Sequence, residues 1–153
     1  MKELSPVTAG LPRGTYLITL KCRAITENGH DFERLRAFLY NFSSAVQRII
    51  DIIWNLDKVP TINQLHQLFY NKLRKCEFRA HICKQIYKYA YGLVKSVKSS
   101  NGSKPIIKKL FARLDRYDVS LDLEKMIIVI KTGINGDIKL KLLHDKSYVK
   151  KIH

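Results

Sequence analysis

Residues 79–99, RAHICKQIYKYAYGLVKSVKS, decide how the rest of the chain is read. At helical spacing Lys84, Lys88, Tyr91, Lys95 and Lys98 fall at i, i+4, i+7, i+11 and i+14, within one narrow stripe. His81 and Tyr87 flank it. Ile82, Ile86, Tyr89, Leu93 and Val97 occupy the opposite face, the apolar side that an amphipathic helix buries. The spacing predicts one helix with a greasy side for a core and a basic, aromatic-punctuated side for something outside. A merely solvated lysine face is the plain alternative, and the surrounding chain weighs between the two.

Charge weighs toward a polyanion. Among 153 residues, 28 Lys and Arg oppose 13 Asp and Glu, a net charge of +15 with a pI near 9.9. Such a field attracts nucleic acid first and an anionic membrane surface second. A heat-adapted surface would add Glu alongside Lys, whereas this excess is one-sided. The apolar fraction of 46% argues against wholesale disorder and leaves room for one domain or two small interlocked ones. No basic start leads into an apolar leader, and no run approaches the roughly 20 apolar residues of a membrane span. The expectation is a cytoplasmic protein with no membrane partner.

Outward from the organising helix, residues 61–73 read as a shorter helix. Thr61 and Gln64 form its capping box, and Ile62, Leu65, Leu68, Phe69 and Leu73 form its inner side. Before Pro60 runs a long helix, capped by Asp31, with Phe32, Leu35, Leu39, Phe42, Val46, Ile49 and Ile53 on its core face to about Asn55. Three helices with such short joints should pack as an antiparallel bundle over residues 31–99. Earlier still, Tyr16, Ile18, Leu20, Cys22 and Ala24 alternate with their neighbours as a strand does, and residues 27–30 turn it. Beyond the bundle, Asn101-Gly102 stops the helix and Pro105 bars its return. Residues 110–115, 118–131 and 137–145 then read as strands, with Asn135-Gly136 as a hairpin turn. One strand has no partner before the bundle. The order therefore predicts an α+β fold: a small antiparallel β-barrel or sheet (14–26 and 104–145) with a three-helix bundle inserted after its first strand. Residues 1–13 and 146–153 read as irregular termini. The alternative is that the two parts are merely sequential.

No catalytic constellation emerges. Asp115, Asp118 and Asp122 have no converging partners, Ser43, Ser44 and His66 read as helix-surface residues, and the phosphate-loop, dinucleotide, zincin and nucleophile-elbow motifs are missing. Cys22, Cys76 and Cys83 form no C-x-x-C pair, so neither a metal site nor a disulfide framework nor any cofactor is expected. Binding chemistry is better supplied. Phosphates call for Lys and Arg, and bases for flat faces with amide or guanidinium edges. The candidate contacts are His81, Lys84, Gln85, Lys88, Tyr91, Lys95 and Lys98 on the helix and Lys104, Lys108 and Arg113 beyond it. Tyr87, Lys109, Arg23 and Arg116 extend the same surface. For each tyrosine the competing role is a half-buried core ring, and for Lys139 and Lys141 it is protection of a strand edge.

RAHICKQIYKYAYGLVKS, then NGSKPIIKKLFARLDRYDVSLDL, then MIIVIK and DIKLKLLHD resemble the N-terminal part of TnpB proteins, the RNA-guided nucleases of insertion sequences related to type V CRISPR effectors. The resemblance covers about residues 14–145. It implies a helical recognition lobe inserted into an oligonucleotide-binding wedge barrel, with base and phosphate contacts near His81, Lys84, Gln85 and Lys88. The family commonly has Ser-Gln where Ala80-His81 stand here, which puts its motif preference in doubt. The family's RuvC-like nuclease and zinc ribbon have no counterpart in this sequence, so the resemblance implies a non-catalytic RNA- and/or DNA-binding module. The alternative is a degenerate transposase remnant or regulator that acts through protein contacts: a homodimer through an open strand edge, or a full-length relative as partner.

Overall fold

Asn28 starts the first helix: its side chain accepts the Asp31 backbone N–H at 2.7 Å, satisfying one of the donors that a helix leaves open at its start. The cap is therefore Asn28, and Asp31, the expected cap, lies inside the first turn, where its charge suits the helix dipole. This computed structural model describes residues 21–133 and 136–143. In chain order its elements are β1 (Arg23–Thr26), α1 (Gly29–Trp54), α2 (Ile62–Lys75), α3 (Ala80–Ser99), β2 (Val119–Asp122), β3 (Ile127–Lys131) and β4 (Asp137–Leu143). Of the expected first strand, Tyr16, Ile18 and Leu20 lie outside the described residues, as do Asn135 and the tail.

The helix boundaries follow local chemistry. Thr61 and Gln64 make the reciprocal capping box of α2. That helix ends with Glu77 at a φ of 71°, while Phe78 N–H reaches Leu73 O and Glu77 N–H reaches Arg74 O. The last turn is thereby closed in the Schellman manner, although Glu stands where Gly is easiest. α3 ends the same way: Asn101 has a φ of 56°, Gly102 N–H bonds Val97 O, and Asn101 N–H bonds Lys98 O. A side chain at Gly102 would sit 2.8 Å from Val97 Cγ1, so the stop needs glycine there.

The strands form an open antiparallel sheet in the order β1-β4-β3-β2. Along β4, Ile138, Leu140 and Leu142 are buried while Lys139 and Lys141 are exposed, as the period of two demands. Among the described residues β1 pairs with β4, the last strand, so in chain order the three helices follow one of two strands that are neighbours in the sheet and precede the other. Ile130, Ile138 and Leu140 join Phe42, Val46, Ile50, Leu65, Ile82 and Ile86 in one continuous apolar cluster.

Two strand expectations need correction. Residues 118–131 are two strands, because Met126 at a φ of 54° turns the chain at 123–126 into a β2–β3 hairpin. Residues 110–115 are no strand. With the residues before them they form an extended strap that lies along α1 and is held by side chains. Gln47 accepts Ile107 N–H and donates to Pro105 O; Ser43 accepts Phe111 N–H and donates to Phe111 O. Two polar residues of a helix thus take the place of a strand partner. The stretch 104–118 accordingly contributes no strand to the β module. Leu68 is exposed rather than inward, and so is Phe32 at the start of α1.

Candidate nucleic-acid interface

α3 is the element on which the candidate residues converge, and its orientation differs from the expected one. Ile82, Cys83, Ile86, Tyr87, Ala90 and Val94 are buried, while Lys88, Gly92 and Lys95 are exposed. The buried face is rotated toward Tyr87 because α2 covers that side. His66 Nδ1 lies 3.0 Å from the Tyr87 hydroxyl, and the His66 ring stacks on Tyr70 at 4.5 Å. Burial raises the Tyr87 phenol, and Cys83 and Tyr70 add to the shift. Tyr87 is therefore a core ring with a bonded hydroxyl, not a base-facing one.

The first turns of α3 are tied to the chain just ahead of β2. Arg79 Nε bonds Asp118 Oδ1 at 2.7 Å, and Asp118 is 1% exposed with Oδ2 lacking any hydrogen-bond partner. Gln85 Nε2 donates to Asp115 Oδ2 at 3.2 Å, and Asp115 Oδ1 accepts the Tyr117 N–H. The His81 and Tyr117 rings lie parallel at 4.1 Å, with the Arg116 guanidinium 5.3 Å from the Tyr117 ring centre. His81 is thus engaged by a tyrosine that the sequence did not mark.

Between α3 and the strap opens a cleft of about 460 Å³ lined by Gln85, Lys88, Tyr89, Arg113, Leu114 and Asp115. Tyr89 is steadied there by Phe111, 4.8 Å away. The cleft brings together three of the expected contacts, Gln85, Lys88 and Arg113. Lys84 lies one turn before Lys88, and Lys95 two turns beyond, its ammonium 5.5 Å from the Tyr91 ring. Lys108 is exposed on the strap.

Two of the expected contacts make bonds within the fold. Lys98 Nζ donates to Trp54 O at 2.9 Å and Leu56 O at 3.4 Å, closing the end of α1, and lies 5.0 Å from the Trp54 ring. Lys104 pairs with Asp51 at 3.0 Å, and that ammonium, followed by the Gln47 amide, holds the Asp51 carboxyl below its usual value. The ion pairs among the described residues otherwise join Arg34 to Asp31 and Arg79 to Asp118. Lys84, Lys88, Lys95, Lys108, Lys109 and Arg113 therefore keep their charge uncompensated by a carboxylate there.

A sequence signal foretells this surface. From Phe78 to Leu114 the chain has no Asp or Glu at all, while Arg79, Lys84, Lys88, Lys95, Lys98, Lys104, Lys108, Lys109 and Arg113 fall within it. That span is α3 and the strap as far as Leu114; Asp115, the next residue of the strap, brings a carboxylate to the cleft lining. Among the described residues no group of three or more His, Cys, Asp or Glu could hold a metal ion, and no helix is long and apolar enough to cross a membrane.

The chain is similar to a TnpB-like protein of Methanocaldococcus jannaschii, 27% identical over 130 residues, an alignment covering 75% of this chain and 29% of that protein. The chain thus matches less than a third of the relative's length. No family model matches the sequence. No solved structure matches it either.

Proposed function

We propose that this chain is a nucleic-acid-binding module related to the N-terminal part of TnpB proteins, which grips the sugar–phosphate backbone through the outer face of α3 and the strap. The observation that carries the reading is the acid-free span of residues 78–114, whose Lys84, Lys88, Lys95, Lys108 and Arg113 make no ion pair among the described residues. Cations unspent on the fold are what phosphate contacts require. The 27% identity to a TnpB-like protein supports the same direction. In this reading the three helices act as a recognition lobe and the sheet as a wedge-like module, with RNA, DNA or both as partner. In this reading binding rather than cleavage is the chain's own share.

Substituting Lys84, Lys88 and Lys95 together by Glu should abolish binding to labelled RNA and DNA oligomers and leave the circular dichroism spectrum and melting point in place. Unchanged affinity would remove α3 from the interface. Incubation of nucleic acid with the protein and magnesium or manganese should leave it uncut; specific cleavage products would overturn the non-catalytic part.

A second reading has its own observation. Among the described residues β1 and β2 are the edge strands of the sheet, and Leu121 on β2 and Leu123 just after it are exposed. Edges of this kind pair with other strands. A homodimer through β2, or a complex with a full-length relative, would follow. A concentration-independent monomer in sedimentation would exclude the dimer.

A further inference from the structure

The cleft between α3 and the strap is more than a length of basic surface, because it combines two cations with a ring and a fixed amide. We propose that it receives one unpaired nucleotide of a single strand and prefers a base carrying an exocyclic amino group over thymine or uracil. The inference rests on the backbone-binding reading above and adds what the strand presents to the protein.

The volume, about 460 Å³, lies inside the range of small-molecule sites. Lys88 and Arg113 stand on its two walls and supply the charge a phosphate needs. The half-buried Tyr89 ring, braced by Phe111, offers a flat wall already fixed in orientation. Base-on-aromatic contact is a main source of affinity for unpaired strands, because a duplex hides the faces of its bases. Neither α3 nor the strap therefore needs to enter a groove.

The amide supplies the selectivity. Gln85 Nε2 is committed to Asp115 Oδ2, and this sets which end of the amide is nitrogen. Gln85 Oε1 and the remaining lone pairs of the Asp115 carboxylate then form an acceptor-rich edge on the cleft wall. Adenine N6 and cytosine N4 bring amino donors to such an edge, and guanine brings N1–H and N2–H. Uracil and thymine present carbonyl oxygens on both sides of a single N–H, which sets acceptor against acceptor.

The test is fluorescence anisotropy with labelled dT15 and with dT15 carrying one central dA or dC, repeated with U15 and its single-A and single-C counterparts, each at two salt concentrations. The unaltered protein is compared with Gln85→Met, which keeps side-chain length without the amide, and with Gln85→Ala. The expected result is about fivefold tighter binding of the strands with an amino-bearing base, lost in both variants while the salt slope is unchanged. The series in which the preference appears assigns DNA or RNA as the source of the nucleotide. Equal affinity for all strands, unchanged in the variants but steeply salt-dependent, overturns the nucleotide site and leaves the backbone grip standing. Absence of binding to every oligomer at the lower salt overturns both.

Discussion

The ends of α3 and its middle carry similar residues to different uses. At the N-terminal end Arg79, His81 and Gln85 are tied to Asp118, Tyr117 and Asp115. At the C-terminal end Lys98 is tied to the carbonyls that close α1. Between them Lys88, Gly92 and Lys95 are exposed, and neither lysine makes an ion pair among the described residues. Helical periodicity places all these positions by angle, yet what each side chain meets depends on whether another element ends or turns beside it. A cation beside orphan carbonyls or a buried carboxylate belongs to the fold, and one beside neither is available to a ligand.

The tied N-terminal end offers the largest effect. Arg79→Ala leaves the Asp118 carboxylate buried with neither oxygen neutralised, and loss of one partner from a buried pair is costly. Because Arg79 itself is 41% exposed, the low end of that range applies, about 3 kcal/mol in urea unfolding. Asp118→Asn, which removes the charge along with the pair, should cost less than Arg79→Ala. The reverse order would show that the pair does not govern this end.

The inner side of α3 supplies the next. Burial pushes the Cys83 thiol up to about 11, partly countered by Arg74. An acid whose value is raised by folding holds its proton longer in the native state, so stability falls as pH rises from the ordinary thiol value through the raised one. The unfolding free energy should therefore decline between about pH 9 and pH 11, by an amount on the order of 2 kcal/mol, and the melting point with it. Cys83→Ala, less stable at neutral pH, should show a shallower decline over the same window. An equal slope would assign the alkaline loss to other groups, Tyr87 among them.

How far the sequence reveals this division is itself physical. The helices, the capping box at Thr61, the stop at Asn101-Gly102 and the alternation of β4 are legible because each depends on neighbours a few residues away. The strap is not. Residues 110–115 have the composition of a strand, and it is Ser43, with Gln47 holding the residues just before them, roughly 60 to 70 positions earlier, that ties the strap to a helix. The β2–β3 turn is hidden too, since Met126 adopts a left-handed conformation that its type disfavours. Within the site, Gln85, Lys88 and Arg113 were legible as chemistry, but their sharing of one cleft was not. Lys98 and Lys104 satisfied the same compositional rule and were claimed by long-range partners.

Lys98 and Lys88 sharpen the comparison directly. Lys98→Ala removes a charged donor from two α1 carbonyls and a cation from the Trp54 ring, for a loss of about 1.5 kcal/mol with little change in binding. Lys88→Ala should leave stability within about 0.5 kcal/mol and lower the slope of log affinity against log salt by about 0.9 on duplex DNA. Swapped outcomes would mean that the accessible cation is Lys98 and that the open middle of the helix is only solvated surface.

The smallest effect is the most discriminating. Gly92 sits in the fourth turn of α3, exposed, and a Cβ built there meets nothing within 4 Å. Glycine in a helix interior costs about 0.5–1 kcal/mol relative to alanine, and no internal contact in this fold offsets that cost. Gly92→Ala should therefore raise stability by about that amount. Lys88 lies one turn before it and Lys95 just under one turn after, so a strand held by both would pass over bare backbone at this point. A stabilised variant with weakened nucleic-acid binding would show that the position is kept open for a ligand rather than for packing. A stabilised variant with undiminished affinity would place the strand to one side of Gly92, along the cleft wall of Gln85 and Lys88.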